Sequence, residues 1–120
     1  MDYANKVVAI TGGARGIGQA MAQAFHARGA RISLADLDGA ETAAETFDGL
    51  GMTVDVAVDG QVAEFIQKTE AALGPIDVYV SNAGVLMTDE PSWDAAGATD
   101  ANWQLAFEVN LMGAVRGARH

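Results

Sequence analysis

A glycine-dense turn lies between the first apolar run of the chain and its first helical pattern. The stretch Thr11-Gly12-Gly13-Ala14-Arg15-Gly16-Ile17-Gly18 directly follows Val7-Val8-Ala9-Ile10. Glycines at such a strand-to-helix junction let the backbone turn tightly, and the free N–H groups of the helix N-terminus attract an anion. These residues therefore predict the binding of a phosphate or pyrophosphate group. A glycine-rich turn without a ligand is the alternative.

One carboxylate, Asp36, follows the second apolar run and comes 18 residues after Gly18. An acid about 20 residues beyond such a loop accepts hydrogen bonds from the ribose hydroxyls of an adenosine. The same charge repels a 2′-phosphate and so favours NAD over NADP. Arg15 is the opposing feature, because its guanidinium could pair with that phosphate unless it is solvated. We give Asp36 more weight, because Arg15 can swing away whereas the repulsion from the acid remains.

Alternating strands and helices must position these side chains. Apolar runs that alternate with amphipathic helices indicate a parallel sheet covered on both faces. We predict an α/β fold of the Rossmann type, a doubly wound three-layer αβα arrangement with strand order 3-2-1-4. The glycine turn then lies at the switch point between strands 1 and 4. The predicted strands are 7–10, 32–35, 53–58 and 76–80, and the predicted helices between them are 16–28, 40–47 and 62–73.

The last third of the chain begins with a stretch, 85–98, that we predict to be an irregular surface segment because it contains a proline and a glycine. Thr99 is then a candidate N-cap for a long amphipathic helix. Trp103 and Phe107 are expected in its core-facing stripe. Asn110 falls on the same stripe, where an amide needs buried hydrogen-bond partners.

Four motifs, in order along the chain, resemble those of the short-chain dehydrogenase/reductase family. They are the Thr11-Gly12-x-x-x-Gly16-x-Gly18 turn, Asp55-Val56, Asn82-Ala83-Gly84 and Val109-Asn110-Leu111. The third departs from the family's Asn-Asn-Ala-Gly pattern, because Ser81 stands at its first position. The resemblance covers the whole chain and implies an oxidoreductase that moves hydride between a nicotinamide and an alcohol or carbonyl carbon.

The resemblance also implies roles for individual residues. Asp55 and the N–H that follows it would hold the adenine edge, and Asn110 would be the catalytic residue that helps a lysine to hold a proton-relay water. Each has a structural alternative: a charge at a strand end for Asp55, backbone hydrogen bonding in a turn for Asn82, and a structural amide for Asn110. The expected contacts to NAD, or less favourably NADP, are Gly12, Ala14, Arg15, Gly16, Ile17, Gly18, Asp36, Leu37, Asp55, Val56, Asn82, Ala83 and Gly84.

The family's acid/base centre is absent from this sequence. That centre is a Tyr with a Lys four residues later and a preceding Ser, whereas Tyr3 and Tyr79 are followed at that spacing by Val7 and Ala83. We therefore expect residues 1–120 to be an NAD(P)-binding Rossmann domain that is incomplete at its C-terminus. Its fourth strand should be an exposed edge, which a second copy of the chain could cover in a homo-oligomer.

Two other functions remain open. A noncatalytic dinucleotide-binding or oligomerising module would keep the fold without the chemistry. A nucleoside-cofactor methyltransferase would also have a glycine loop and a ribose-binding acid, but the Asn82-Ala83-Gly84 turn argues against it.

Composition excludes several function classes. With 7 Lys and Arg against 16 Asp and Glu, the net charge of −9 disfavours a nucleic-acid binder. Cysteine is absent, and Asp89, Glu90 and Asp94 are too loosely spaced for a metal site. No apolar run is long enough to span a membrane. We expect a cytoplasmic protein with a small-molecule alcohol or carbonyl as its substrate.

Overall fold

The computed structural model describes residues 2–84 and 99–120, apart from the side chain of Asn102. The predicted irregular segment 85–98 and the three acids within it lie outside the described residues. In chain order, the elements are β1 (Val7–Thr11), α1 (Gly16–Ala27), β2 (Arg31–Asp36), α2 (Ala40–Glu45), β3 (Leu50–Thr53), α3 (Asp59–Leu73), β4 (Val78–Ser81), α4 (Asp100–Ala106), a π-helical turn (Phe107–Leu111) and α5 (Met112–Arg119).

The four strands form one parallel sheet in the order β3-β2-β1-β4. β1 lies in the middle, where Ile10 is in register with Leu34 of β2 and with Val80 of β4. All five residues of β1 are buried, as expected for a strand that is covered on both faces. The predicted α/β fold of the Rossmann type and its strand order are confirmed.

Two apolar layers separate the sheet from its helices. Successive side chains of a strand point to opposite faces, so Val8 and Ile10 pack in one cluster whereas Ala9 packs in the other. The first cluster includes residues of α1 and α2, and the second includes Phe65 of α3 and Val109 of the π-helical turn. Burying each large aliphatic or aromatic side chain in these layers contributes about 1.5–3 kcal/mol.

The first helix ends where the sequence predicts a stop. Gly29 has a φ of +93°, and its N–H donates to the His26 carbonyl while the Ala30 N–H donates to the Phe25 carbonyl. These two bonds form a Schellman motif, which satisfies carbonyls that a helix end leaves open. The motif turns the chain directly into β2.

The third strand lies earlier than predicted. The sequence analysis placed it at 53–58, but the pairing with β2 covers Leu50–Thr53. Beyond it, the N–H groups of Ala57 and Val58 both donate to oxygens of Asp55, at 2.9 and 3.0 Å. These local bonds form a turn and take up the two N–H groups, so Ala57 and Val58 do not donate to a neighbouring strand. The alternating valines that suggested a strand are buried for another reason, because Val54 and Val56 face the second apolar layer.

The helical stretch from α4 through the π-helical turn to α5 also differs from the single long helix of the prediction. It begins at Asp100, next to the predicted cap, but Trp103 and Phe107 are not core residues, since each is 48% exposed. The face that is buried instead contains Val109, Gly113 and Arg116. The inward positions are thus occupied by one valine, glycine and an arginine, and the large apolar side chains face away from the sheet.

β4 is an edge strand, as the sequence predicts, because among the described strands it pairs with β1 alone. No helix within residues 2–84 and 99–120 has the length and apolarity needed to cross a membrane.

Candidate functional site

Hydrogen bonds connect the glycine turn to the residues that follow β4. The Thr11 hydroxyl oxygen accepts the N–H groups of Asn82 and Ala83 at 3.1 and 3.2 Å, and the Asn82 side-chain amide donates to the Gly12 carbonyl at 3.1 Å. The structural role considered for Asn82 is therefore present. These bonds bring two of the predicted motifs together at the carboxyl ends of β1 and β4.

Two glycines of the turn are required by geometry. Gly12 has a φ of +66°, a left-handed conformation that side chains rarely adopt. Gly18 lies so close to the turn that a Cβ there would be 2.1 Å from the Gly12 carbonyl oxygen. The backbone of α1 therefore begins in direct contact with the loop that precedes it.

The N-terminus of α1 has no side-chain cap: Arg15 occupies the N-cap position and makes no capping hydrogen bond. The first N–H groups of a helix have no partner within the helix, and the helix dipole gives them a partial positive charge. This end of α1 is therefore suited to an anionic group.

Asp36 terminates β2 beside this turn. Its Oδ2 accepts the Ala14 N–H at 3.1 Å, and its Oδ1 accepts the Leu37 N–H at 2.8 Å. Each carboxylate oxygen has more than one acceptor site, so both can still accept bonds from a ligand. The backbone contacts hold the carboxylate in one orientation and link it to the glycine turn.

Asp55 begins the turn after β3. Its N–H donates to the Gln61 side chain at 2.8 Å, and its Oδ1 accepts the Ala57 N–H at 2.9 Å. The side chain is thus engaged in a local turn, and Val56 beside it is buried at 6% exposure. The two residues lie after the strand, as the resemblance implies, although the strand itself was predicted in the wrong place.

These segments surround one open cavity of about 480 Å³, which we call the cleft. Of the residues predicted to contact a cofactor, Ala14, Gly16 and Gly18 are not part of its lining, although all three belong to the glycine turn beside it. Three lining residues were missed by the sequence analysis: Ala35, Val54 and Val109. The lining is Gly12, Arg15, Ile17, Ala35, Asp36, Leu37, Val54, Asp55, Val56, Asn82, Ala83, Gly84 and Val109.

Asn110 lies beside the cleft, in the π-helical turn. It does not line the cavity, but its Oδ1 is 3.1 Å from the point that a Cβ on Gly84 would occupy. Its side chain is exposed, so the expectation of a buried amide on the apolar stripe is wrong. The Met112 N–H donates to the Phe107 carbonyl, five residues earlier. Such π-helical turns occur frequently at functional sites.

The polar side chains that line the cleft are two acids, Asp36 and Asp55, one cation, Arg15, and one amide, Asn82. Among the described residues, no group of three or more His, Asp or Glu could hold a metal ion.

Comparisons with known proteins agree with this geometry. The profile of the short chain dehydrogenase family matches residues 6–120. The uncharacterized oxidoreductase YvrD of Bacillus subtilis is 36% identical and aligns with 100% of this chain and 46% of its own length. Galactitol 2-dehydrogenase of Agrobacterium fabrum is 36% identical, over 94% of this chain and 44% of its own length.

A similar fold is found in the crystal structure of 3-ketoacyl-(acyl-carrier-protein) reductase from Brucella melitensis complexed with NADH. The match has a TM-score of 0.91 and 26% identity, and it covers 98% of this chain but 49% of the other. The chain therefore spans less than half the length of these relatives. Because the family profile covers nearly all of the sequence, the chain belongs to the short chain dehydrogenase family.

Proposed function

We propose that this chain is the cofactor-binding portion of an NAD-dependent oxidoreductase that acts on a small-molecule alcohol or carbonyl compound. The observation that carries the proposal is the convergence of the uncapped N-terminus of α1 and the Asp36 carboxylate on one cleft. A dinucleotide needs both features, because one meets its phosphates and the other its ribose. The proposal extends to a cytoplasmic location, which the lack of cysteine suits, and to a second copy of the chain as a partner.

The residues present fit such a cofactor. A volume of about 480 Å³ is in the usual range for small-molecule sites. At the first residue of α1 the space is open, because a Cβ on Gly16 would have no heavy atom within 4 Å. When bound, the nicotinamide would supply or accept the hydride of the reaction.

Backbone and side-chain groups of this chain would bind the different parts of the cofactor. The free N–H groups of α1 would bind the pyrophosphate, Asp36 would accept hydrogen bonds from the adenosine ribose, and Val56 would contact the adenine ring with its neighbour Asp55 at the edge. Asn82 would keep the glycine turn closed through its bond to Gly12. Asn110 would hold a water molecule for proton transfer, since an amide does not itself titrate near neutral pH.

Asp36 favours NAD over NADP in this proposal. Its two oxygens are anchored by backbone N–H groups on either side, so the carboxylate cannot easily turn away from a 2′-phosphate. Arg15 is exposed and makes no capping bond, so it is free to move away from the same phosphate. The fixed repulsion should therefore exceed the attraction.

A pair of titrations tests the proposal. NADH and NADPH are titrated into the folded 120-residue chain, and binding is followed by calorimetry. We expect NADH to bind more tightly, and Asp36→Ala to narrow the difference by about 1 kcal/mol or more, the scale of one charge-assisted hydrogen bond. Asp38→Ala is the matched control, because it removes the same charge from an exposed side chain outside the cleft lining. Equal affinities in the unmodified chain, or an equal effect of both variants, would contradict the assignment.

A further inference from the structure

A buried arginine that no sequence motif indicated contacts two segments that line the cleft. Arg116 is 9% exposed although it is charged. Its Nη1 donates to the Val56 carbonyl at 3.0 Å and to the Glu108 carbonyl at 2.9 Å, and its Nη2 donates to the Glu108 carboxylate. The guanidinium therefore joins the turn at Val56, which lies 60 residues earlier in the chain, to Glu108, which lies 8 residues earlier.

Those two segments form separate walls of the cleft. Val56 lines it from the turn after β3, and Val109, directly after Glu108, lines it from the π-helical turn. α5, which continues from the Val109 wall, packs closely on the Val56 wall, because a Cβ on Gly113 would be 3.0 Å from the Val56 side chain. The arginine thus bonds to the backbone on both sides of a close contact.

The chemistry of the Arg116–Glu108 ion pair explains why a charged residue is suited to this position. A buried ion pair contributes little net stability, because desolvation offsets most of the attraction, but its geometry is specific. A planar guanidinium offers several donors in fixed directions. It can therefore fix the relative position of three acceptors better than an apolar residue of the same size could.

We propose that Arg116 is a positioning residue of the cleft, which fixes the separation of its Val56 and Val109 walls. The inference rests on the proposed function, because the value of this separation lies in holding the adenosine half of a dinucleotide. Arg116 would not contact the ligand itself. It would act by holding the backbone of residues that line the cleft.

Amide hydrogen exchange of the ligand-free chain tests the connection itself. In Arg116→Met, residues 54–58 and 107–112 should both exchange about tenfold faster than in the unmodified chain, within the range of couplings between sites. Arg119→Met is the matched control: it lies one turn further along α5, and its ion pair with Asp59 at 3.3 Å is exposed. That variant should leave both segments at their original rates. Faster exchange in one segment only, or throughout the chain, would overturn the proposal.

The affinity for NADH tests whether this positioning affects ligand binding. It is measured at a temperature at which circular dichroism shows every variant to be folded. Arg116→Met should weaken the binding of NADH and of ADP-ribose by the same factor of about ten, whereas Arg119→Met should change neither. Unchanged affinity in folded Arg116→Met would overturn the positioning role. Failure of the unmodified chain to bind either ligand would instead refute the proposed function, and the exchange rates would still decide whether the walls are connected.

A conservative variant covers the case in which Arg116→Met does not fold. Arg116→Lys keeps the charge but presents its donors from a single nitrogen. It should retain the fold and show about a threefold change in exchange in the same two segments and in affinity for both ligands. If its exchange rates and affinities equal those of the unmodified chain, the proposal is wrong.

Discussion

A single methyl group at position 18 would separate the glycine turn from its helix. The Cβ of an alanine there would lie 2.1 Å from the Gly12 carbonyl oxygen and 2.7 Å from the Asn82 amide nitrogen. Backbone atoms cannot move aside as the end of a flexible side chain can. The glycine that the motif requires for a ligand is therefore required for packing as well.

We expect Gly18→Ala to lower the free energy of unfolding by about 2 kcal/mol, the usual cost of overpacking. Urea denaturation followed by circular dichroism measures the change. Gly60→Ala serves as the control, because it lies in α3 with no heavy atom within 4 Å of its would-be Cβ. That variant should gain about 0.5–1 kcal/mol, because alanine is the better helix former. Equal changes in the free energy of unfolding at the two positions would contradict the prediction, because they would show that the close contact at Gly18 does not destabilise the alanine variant.

Elements meet at a similarly close contact between α5 and β4. A Cβ on Gly117 would be 2.5 Å from the Tyr79 ring, so the helix lies directly on the tyrosine. The Tyr79 hydroxyl is buried there without a hydrogen-bond partner among the described residues. Burial raises the pKa of this tyrosine above its ordinary value of 10.0.

Tyr79→Phe should therefore raise the free energy of unfolding by about 1 kcal/mol at neutral pH, since an unpaired buried hydroxyl is removed. The pH dependence has a definite sign. A pKa that is raised in the folded state stabilises the protein below pH 10 relative to higher pH, and this stability is lost as the pH rises through the folded value. The difference between variant and unmodified protein, measured by urea denaturation, should grow above about pH 10. A difference that is negative at neutral pH, or constant across this range, would contradict the interpretation.

Local patterns predicted the elements that depend on local chemistry. Periodicity and Gly29 located α1, and the glycine turn indicated the site because its backbone needs those residues. β3 was misplaced because the valines after Thr53 alternate like a strand, although Asp55 binds the N–H groups that a ladder would need. Alternating buried and exposed side chains are typical of a strand, but they also occur where the backbone makes no hydrogen bonds to a neighbouring strand.

Features that depend on distant partners could not be predicted in this way. Arg116 has the sequence context of an exposed cation on a helix, and one of its partners, Val56, is 60 residues away. Trp103 appeared to be a core residue because apolar periodicity does not indicate which face of a helix meets the sheet. In α5, glycines and an arginine occupy the buried positions. The hydrophobicity of a residue therefore does not predict its burial in this part of the chain.

At the scale of the whole chain, residues 1–120 contain the motifs to which the family resemblance assigns cofactor binding, but they do not contain its Tyr-x-x-x-Lys pair. No tyrosine in the sequence is followed four residues later by lysine. Hydride transfer to or from an alcohol also needs a group that gives or takes a proton, which contributes about 10²–10⁴ in rate.

The 120-residue chain alone should therefore bind cofactor but catalyse no dehydrogenation. The measurement follows the absorbance of the reduced nicotinamide with a panel of alcohols and ketones, after folding has been verified by circular dichroism. A protein purified in parallel from cells without the gene controls for contaminating enzymes. Turnover that persists after repurification would refute this prediction.

The position of β1 in the sheet has a consequence for synthesis on the ribosome. Its first neighbour, β2, is complete at Asp36, but β4 is complete only 45 residues later, at Ser81. At about 5–20 residues per second, this interval lasts roughly 2–9 s. Closing the long loop between β1 and β4 also has an entropic cost that must be met before their pairing stabilises the sheet. In the folded chain β1 has a neighbour on each side, but during its first seconds outside the ribosome one of its edges is open, and another extended chain could pair with it there.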